Sequence, residues 1–282
     1  MIIGIIGNGF VGKATFQLRC DDIEVLAYDL NPDACFPKGT TLYDMSKCEI
    51  IFISVPTPMS KDGSCHLNII ESVLNDLKQI NYNGHVVCRS TVPVGTCDKL
   101  NVSFMPEFLT EKNFVDDFVN NPDWIFGMVS SPESGVVKEK LTRLFQLAYD
   151  NDRVKSNTLH FVTNSEAEMI KMFRNCFLAT KVSFCNEVAE FCEKKSVDYS
   201  IVMDLATKDK RIGPGHASVP GHDGKKGYGG TCFPKDTSSL RYEMTNINMT
   251  PHVLDAIIKR NTIIDRPEQD WMLDQGRAAI DK

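Results

Sequence analysis

Apolar residues arrive in short bursts through the first 160 or so positions. The bursts fall at 2–6, 25–28, 49–55, 85–89, 102–105, 124–129 and 159–162. Runs of this length, rich in Val and Ile and bounded by glycine, proline or polar clusters, predict buried strands. Between them, 68–80 and 132–149 are amphipathic at helical spacing. Strands alternating with helices predict an α/β domain with a doubly wound parallel sheet over 1–164. From Ser165 the period changes: Ala167, Ile170, Phe173, Phe177, Phe184, Val188 and Phe191 recur at roughly helical intervals. Ser165 and Glu168 fit a capping box, so one helix of about eight turns is expected to run to Lys195. Further helices are predicted at 197–206 and 250–264, and Pro234 suits the start of another. The second domain, 165–282, is therefore expected to be all-helical and built on the long central helix.

Composition narrows the partners. With 42% hydrophobic and 24% charged residues the chain is ordinary for a globular protein. A net charge of −6 without a long Lys/Arg run argues against nucleic acid and anionic membrane as main partners. No apolar run is long enough to span a bilayer, and Met1-Ile2-Ile3-Gly4 lacks the basic flank of a signal peptide, so a cytoplasmic protein is expected. Its ten cysteines form no C-x-x-C pair and no Cys/His set with zinc spacing, so they are expected as thiols with no metal site. Cys176, Cys185 and Cys192 read as packing residues.

The first strand runs into Gly7-Asn8-Gly9-Phe10-Val11-Gly12 and then a helical pattern. In that context the motif is mechanical: Gly7 makes the tight turn, Gly9 admits a pyrophosphate and Gly12 lets the helix pack on the strand. Asp29 ends the second strand near the offset at which an acid meets the adenosine ribose, and no arginine directly follows it. A Rossmann-type domain binding NAD rather than NADP is expected. Pro56-Thr57-Pro58 and the 90–96 turn stand at strand carboxyl ends, where this fold binds ligands; Thr91 is either a cofactor or water contact or an ordinary turn hydroxyl. Glu107 and Glu111 would share a face if their segment is helical. Lys171 and Asn175, four apart, share one face of the long helix, as functional groups or as a solvated edge. In Gly227-Tyr228-Gly229-Gly230-Thr231-Cys232-Phe233-Pro234-Lys235-Asp236 a thiol sits between a glycine run and a charged pair. The lysine would favour the attacking thiolate and the aspartate would handle a proton or water; the plainer alternative is a glycine turn with a packed cysteine. The 211–226 loop gathers His216, His222, Lys225 and Lys226, either as a solvated surface or as a phosphate grip.

Taken in this order, residues 1 to about 260 resemble the UDP-glucose/GDP-mannose dehydrogenase family. The carriers are the glycine turn, 55–58, 90–96, 106–111, 166–175, Asn186-Glu187 and 227–236. The resemblance implies a four-electron oxidation of a nucleotide sugar by two NAD, foremost UDP-glucose to UDP-glucuronate for polysaccharide biosynthesis, with GDP-mannose or UDP-N-acetylmannosamine as alternatives. It implies that Lys171, or a water held by Asp236, takes the first proton, and that Cys232 holds the aldehyde as a thiohemiacetal and then a thioester. Lys171 and Asn175 would stabilise the oxyanion, and Asp236 and Glu107, with Thr91 placing the water, would drive hydrolysis. Cofactor contacts would come from Gly7, Gly9, Phe10, Val11, Gly12, Asp29, Pro56, Thr57, Thr91, Glu111 and Lys235. Substrate contacts would come from Glu107, Phe108, Leu109, Lys171, Asn175, Arg211 and Gly229. A homodimer through the long helix is expected.

Two departures stand out. Position 110 is Thr where the family commonly has Arg, and family members usually carry a second Rossmann-like domain where this sequence ends at Lys282. Two expectations follow: a compact member in which the 211–226 loop or a neighbouring subunit grips the nucleotide, or an incomplete protein with weak or no substrate binding. The competing functions are a single-step β-hydroxyacid dehydrogenase, which needs no nucleophilic cysteine, and a non-catalytic NAD-binding protein.

Overall fold

Alternating side chains along each apolar burst point to opposite faces, and here both faces are apolar. In the computed structural model, which describes residues 1–280, Ile3, Ile5, Ile50 and Phe52 join one core cluster while Ile6, Ile51 and Ile53 join another. A sheet buried on both faces needs helices on both, which is the physical content of a doubly wound fold. The strands are β1 (Ile2–Ile6), β2 (Glu24–Tyr28), β3 (Ile50–Ile53), β4 (His85–Cys88), β5 (Ser103–Phe104), β6 (Trp124–Met128) and β7 (Leu159–Thr163), in the order β2-β1-β3-β4-β5-β6-β7. The accompanying helices are α1 (Phe10–Thr15), α2 (Asn68–Gln79), α3 (Thr96–Leu100), α4 (Phe114–Val119) and α5 (Ser134–Asp150). Ala14 of α1, Phe118 of α4 and Leu141, Leu144 and Phe145 of α5 fill the first cluster, and Leu77 of α2 the second. Each fully buried Phe, Leu or Ile contributes roughly 1.5–3 kcal/mol of transfer free energy.

The sheet is parallel at every pairing except β5 with β6, which is antiparallel. β6 and β7 therefore run against the other five strands, a departure from a wholly parallel sheet. The two strands touch through a single register pair, Phe104 with Gly127. Gly127 is tight for its own reason: a Cβ there would lie 2.8 Å from the Asn164 backbone.

The long helix α6 spans Asn164–Lys194, 31 residues, or about 46 Å at 1.5 Å per residue. Its capping box is formed by Thr163 and Glu166: Glu166 Oε2 accepts from the Thr163 N–H at 2.8 Å and Thr163 Oγ1 accepts from the Glu166 N–H at 3.3 Å. The expected box at Ser165 and Glu168 is displaced because Glu168 serves another helix. Buried, it accepts from the N–H groups of Gly95 (2.5 Å) and Cys97 (2.8 Å) at the start of α3.

The chain divides into two compact units, one of Met1–Thr57 with Leu67–Lys171, the other of Pro58–His66 with Met172–Lys282. α6 passes from one into the other, and the expected division at 164/165 falls in its first turn. The second unit also holds α7 (Tyr199–Ala206), α8 (Phe233–Asn246) and α9 (His252–Arg260). Its core is Met172, Cys176, Ala179, Tyr228, Leu240, Leu254 and Ile257. The helix expected at 250–264 is α9 continued by a π-helical turn, Asn261–Asp265. Among the described residues no helix is long and apolar enough to cross a membrane, and none group as a His/Cys/Asp/Glu metal site.

Candidate active site

In the first unit the glycine turn links β1 to α1. Gly7 has φ +87, and a Cβ on it would meet the Ser54 carbonyl at 2.7 Å. A Cβ on Gly12 would lie 2.3 Å from the Gly7 carbonyl, so the close packing of helix on strand demands glycine there. Gly9 is different: nothing lies within 4 Å of its would-be Cβ, which leaves open space over the backbone for a ligand. Phe10 and Val11 open α1. Asp29 fixes the turn from the end of β2, accepting from the N–H groups of Asn8 (2.7 Å) and Asn31 (2.9 Å). Beside it, Asn8 Oδ1 and Ser54 Oγ are buried with no hydrogen-bond partner among the described residues. Such orphaned polar atoms are uncommon in interiors, and they fit a dinucleotide bringing hydroxyls and phosphates to this turn. The loops after β3 and β4 are tied together: Thr57 Oγ1 donates to the Thr91 carbonyl at 2.7 Å and Ser90 Oγ to the Val55 carbonyl at 2.6 Å. Pro56 leads into Thr57 on this shelf.

A second cluster of the same unit lies at the end of β5. The 106–111 segment is not helical, so Glu107 and Glu111 do not share a helical face; Glu107 turns inward and Glu111 is exposed. Lys171 Nζ donates to Glu107 Oε1 at 2.5 Å and to the Glu107 carbonyl at 2.7 Å, with exposures of only 3% and 5%. Glu107 Oε2 accepts from the Leu109 N–H at 2.9 Å, and the Phe108 ring lies 5.8 Å from the ammonium. Thr110 instead bonds through its N–H and hydroxyl to Asp117 of α4. Sequence reading missed Arg89, whose buried guanidinium donates to Thr15 of α1 and lies 5.4 Å over Phe118. Burial pushes its pKa down to about 10, partly offset by the Glu107 carboxylate.

The thiol cluster belongs to the second unit. Cys232 is the N-cap of α8, Pro234 sits in its first turn, and the Asp236 N–H donates to the Cys232 carbonyl at 2.8 Å. Asp236 is fully buried and its carboxylate is shared: Lys235 Nζ donates to Oδ1 at 2.7 Å and Asn175 Nδ2 to Oδ2 at 2.6 Å. Burial works against the Lys235 ammonium, but the Asp236 carboxylate and the nearby Cys65 and Cys232 sulfurs outweigh it and hold its pKa above the ordinary lysine value. Buried Cys176 is the contrast: desolvation, reinforced by Asp236, pushes its thiol up to about 12, so it packs rather than reacts. Gly229 adjoins the guanidinium of Arg266, and Asn261 bonds Tyr228; neither Arg266 nor Asn261 stood out in the sequence. Arg211 is 89% exposed and ion-paired to Asp209. The loop lysines are paired as well, Lys225 with Glu268 (3.2 Å) and Asp270 (2.8 Å), and Lys226 with Glu193 (3.9 Å). Both lysines are thus engaged in partly exposed ion pairs.

These features have counterparts in known proteins. The NAD binding domain of the UDP-glucose/GDP-mannose dehydrogenase family matches residues 37–148 and that family's central domain matches 165–263. A UDP-glucose 6-dehydrogenase of Bacillus subtilis is 30% identical, covering 93% of this chain and 66% of its own length. One from Rickettsia bellii is 32% identical, covering 87% and 56%. Among solved structures, a UDP-glucose dehydrogenase from Pyrobaculum islandicum superposes with a TM-score of 0.75 at 23% identity, covering 92% of this chain and 67% of that one. A 3-hydroxyisobutyrate dehydrogenase from Mycobacterium tuberculosis gives 0.70 at 12% identity, covering 99% and 96%. At such identities the structural likenesses speak for the fold alone. The chain spans about half to two thirds of the length of the curated relatives it matches.

Proposed function

The chain belongs to the UDP-glucose/GDP-mannose dehydrogenase family, and from that premise we propose that it oxidises the primary alcohol of a nucleotide sugar to the carboxylate through a thioester on Cys232. The observation that carries the reading is the buried Lys235–Asp236–Asn175 constellation at the start of α8, one turn from the thiol at its N-cap. A carboxylate bonded by both an ammonium and an amide in the interior is costly to assemble without a task.

NAD, when bound, supplies the hydride acceptor; Gly7, Gly9, Gly12, Asp29 and the Thr57–Thr91 shelf would hold it. The remaining steps fall to this chain's side chains. A base, Lys171 or a water on Asp236, takes the proton of the sugar hydroxyl as the carbon is oxidised. Cys232 Sγ then bonds the aldehyde carbon, which keeps the intermediate on the protein and recreates an oxidisable carbinol. Lys171 and Asn175, one turn apart on α6, stabilise the oxygen anion at this stage and again during hydrolysis. Asn175 is suited to this because an amide carries two N–H groups and the bond to Asp236 uses one. After the second oxidation, water activated by Asp236 or Glu107 breaks the C–S bond, releasing carboxylate and thiol.

UDP-glucose is the proposed substrate, since the curated relatives carry that name. We place the reaction in the cytoplasm, where thiols stay reduced. A second copy of the chain is the proposed partner, docked on the apolar stripe of α6. Purified protein incubated with NAD and, in turn, UDP-glucose, GDP-mannose and UDP-N-acetylmannosamine tests the function by absorbance of NADH. Formation with UDP-glucose is expected, and silence with all three sinks the proposal.

A further inference from the structure

The glycine run that precedes Cys232 is gripped by the 261–266 segment. Resting on the reading of Cys232 as the attacking thiol, we propose that Asn261 and Arg266 are positioning residues that hold the backbone of 227–230 in the shape that presents it. Asn261 is buried, and its one amide meets both backbone groups of Tyr228: Oδ1 accepts from the N–H at 2.8 Å and Nδ2 donates to the carbonyl at 2.9 Å. That is what a neighbouring strand would do. The Gly227 N–H donates to Asn186 Oδ1 at 3.1 Å, so the run is held from α6 as well.

The glycines are cut to fit these side chains. A Cβ on Gly227 would lie 2.3 Å from Asn261 Oδ1, and one on Gly229 would lie 2.4 Å from Arg266 Cζ. Arg266 is itself anchored. Its Nε and Nη2 take both oxygens of Asp270 at 2.8 Å each, and Nη2 also donates to Asp223 at 2.7 Å. Paired on both sides, the buried guanidinium stays charged and planar against the backbone. Through Asp223 it also fastens the preceding loop, so the approach to Cys232 is held at three points.

The π-helical turn explains how one short segment supplies both grips. Positions five apart on an α-helix point about 140° away from each other. Here the Arg266 N–H donates to the Asn261 carbonyl at 2.8 Å, the widened i to i+5 closure, and this brings both residues to the glycine run. Without such contacts Gly227, Gly229 and Gly230 would be among the most mobile stretches of backbone the chain could have. A nucleophile performs only if it is held near its attack geometry.

The full chain is compared with its Asn261→Ala, Arg266→Gln and Arg266→Lys variants, with three readouts. Hydrogen exchange over 227–233 is expected to quicken about tenfold or more in Asn261→Ala and Arg266→Gln, the loss of about one hydrogen bond's protection, with exchange in the β-sheet of the first unit unchanged. Alkylation of Cys232 by iodoacetamide, followed by mass spectrometry, is expected to change at least threefold, with Arg266→Lys intermediate because it keeps the charge and loses the fork. NADH formation is expected to show a fall in kcat of about tenfold or more with the KM for NAD unchanged. Wild-type exchange and alkylation rates in variants that fold would overturn the proposal. If the wild type makes no NADH with any nucleotide sugar, the functional reading fails while exchange and alkylation still decide the clamp. Should Arg266→Gln not fold, Asp223→Asn removes one of its carboxylate partners from the surface side and is expected to move the same two readouts in the same direction.

Discussion

At the scale of single residues, the Lys171–Glu107 pair shows how catalytic equipment and stability are entangled. Both groups are nearly inaccessible to water, and deleting one partner of a buried pair leaves a desolvated charge, which typically costs ~3–5 kcal/mol. Lys171→Met is therefore expected to destabilise strongly in urea titrations. The double variant Lys171→Met/Glu107→Leu should recover much of that stability while making no NADH. If the double variant is as unstable as the single one, the cost lies in packing rather than in the orphaned charge. His85 offers a test without catalytic content. Held by burial, with Lys140 adding, its pKa is lowered from 6.5 to about 4, and its Nε2 pairs with Ser103 Oγ at 3.0 Å. The folded chain thus refuses a proton that the unfolded chain accepts. Stability is present above the unfolded pKa and is lost as pH falls from about 6.5 towards 4. Between pH 7 and pH 5 the loss amounts to about 2 kcal/mol, and His85→Gln should abolish that share of the pH dependence in denaturant melts.

At the scale of elements, α6 and the glycine turn carry the next two predictions and show what a sequence can and cannot disclose. Phe173, Phe177, Phe184 and Phe191 all stand exposed on α6 at spacings of four, seven and seven, with the first two rings stacked at 6.0 Å. A stripe at heptad spacing suits a facing helix, and α7 adds exposed Ile201 and Leu205. The proposed dimer through this face predicts that Phe177→Glu with Phe184→Glu lowers the sedimentation coefficient to that of a monomer; an unchanged coefficient would overturn the proposed docking. At the turn, Gly12→Ala forces a Cβ against the Gly7 carbonyl and should abolish binding of NAD in calorimetry. Both features were legible because each is periodic or local: strands from two-sided apolar runs, α6 from its spacing, the turn from glycines between strand and helix. What stayed hidden depends on residues distant in the chain. The capping box moved because Glu168 is claimed by α3, some 70 positions earlier. Glu107 and Glu111 parted because the 106–111 segment is not helical, and the inward carboxylate pairs with Lys171 from 64 positions later. Asn261 and Arg266 gave no signal at all, since their partners Tyr228 and Asp223 lie 33 and 43 residues before them.

At the scale of the whole molecule, the glycine turn that would hold the dinucleotide belongs to the first unit and the Cys232 cluster to the second. A protein built this way should bind cofactor without its thiol and lose only the chemistry that needs sulfur. Saturating NAD at about a hundred times its Kd is expected to stabilise wild type and Cys232→Ser alike by about 2.7 kcal/mol. Turnover separates them. Four-electron oxidation requires two NADH for each sugar consumed, and covalent capture is what carries the first product to the second oxidation. In Cys232→Ser the aldehyde has no thiol to hold it, so NADH yield is expected to fall to at most one per sugar, with an aldehyde trappable by hydroxylamine. A variant that still delivers two at the wild-type rate would show that sulfur takes no part, which is the behaviour of a single-step β-hydroxyacid type site extended by aldehyde hydration. Two NADH from wild type and one from the serine variant, at equal affinity for NAD, is the outcome that only a thiol intermediate explains.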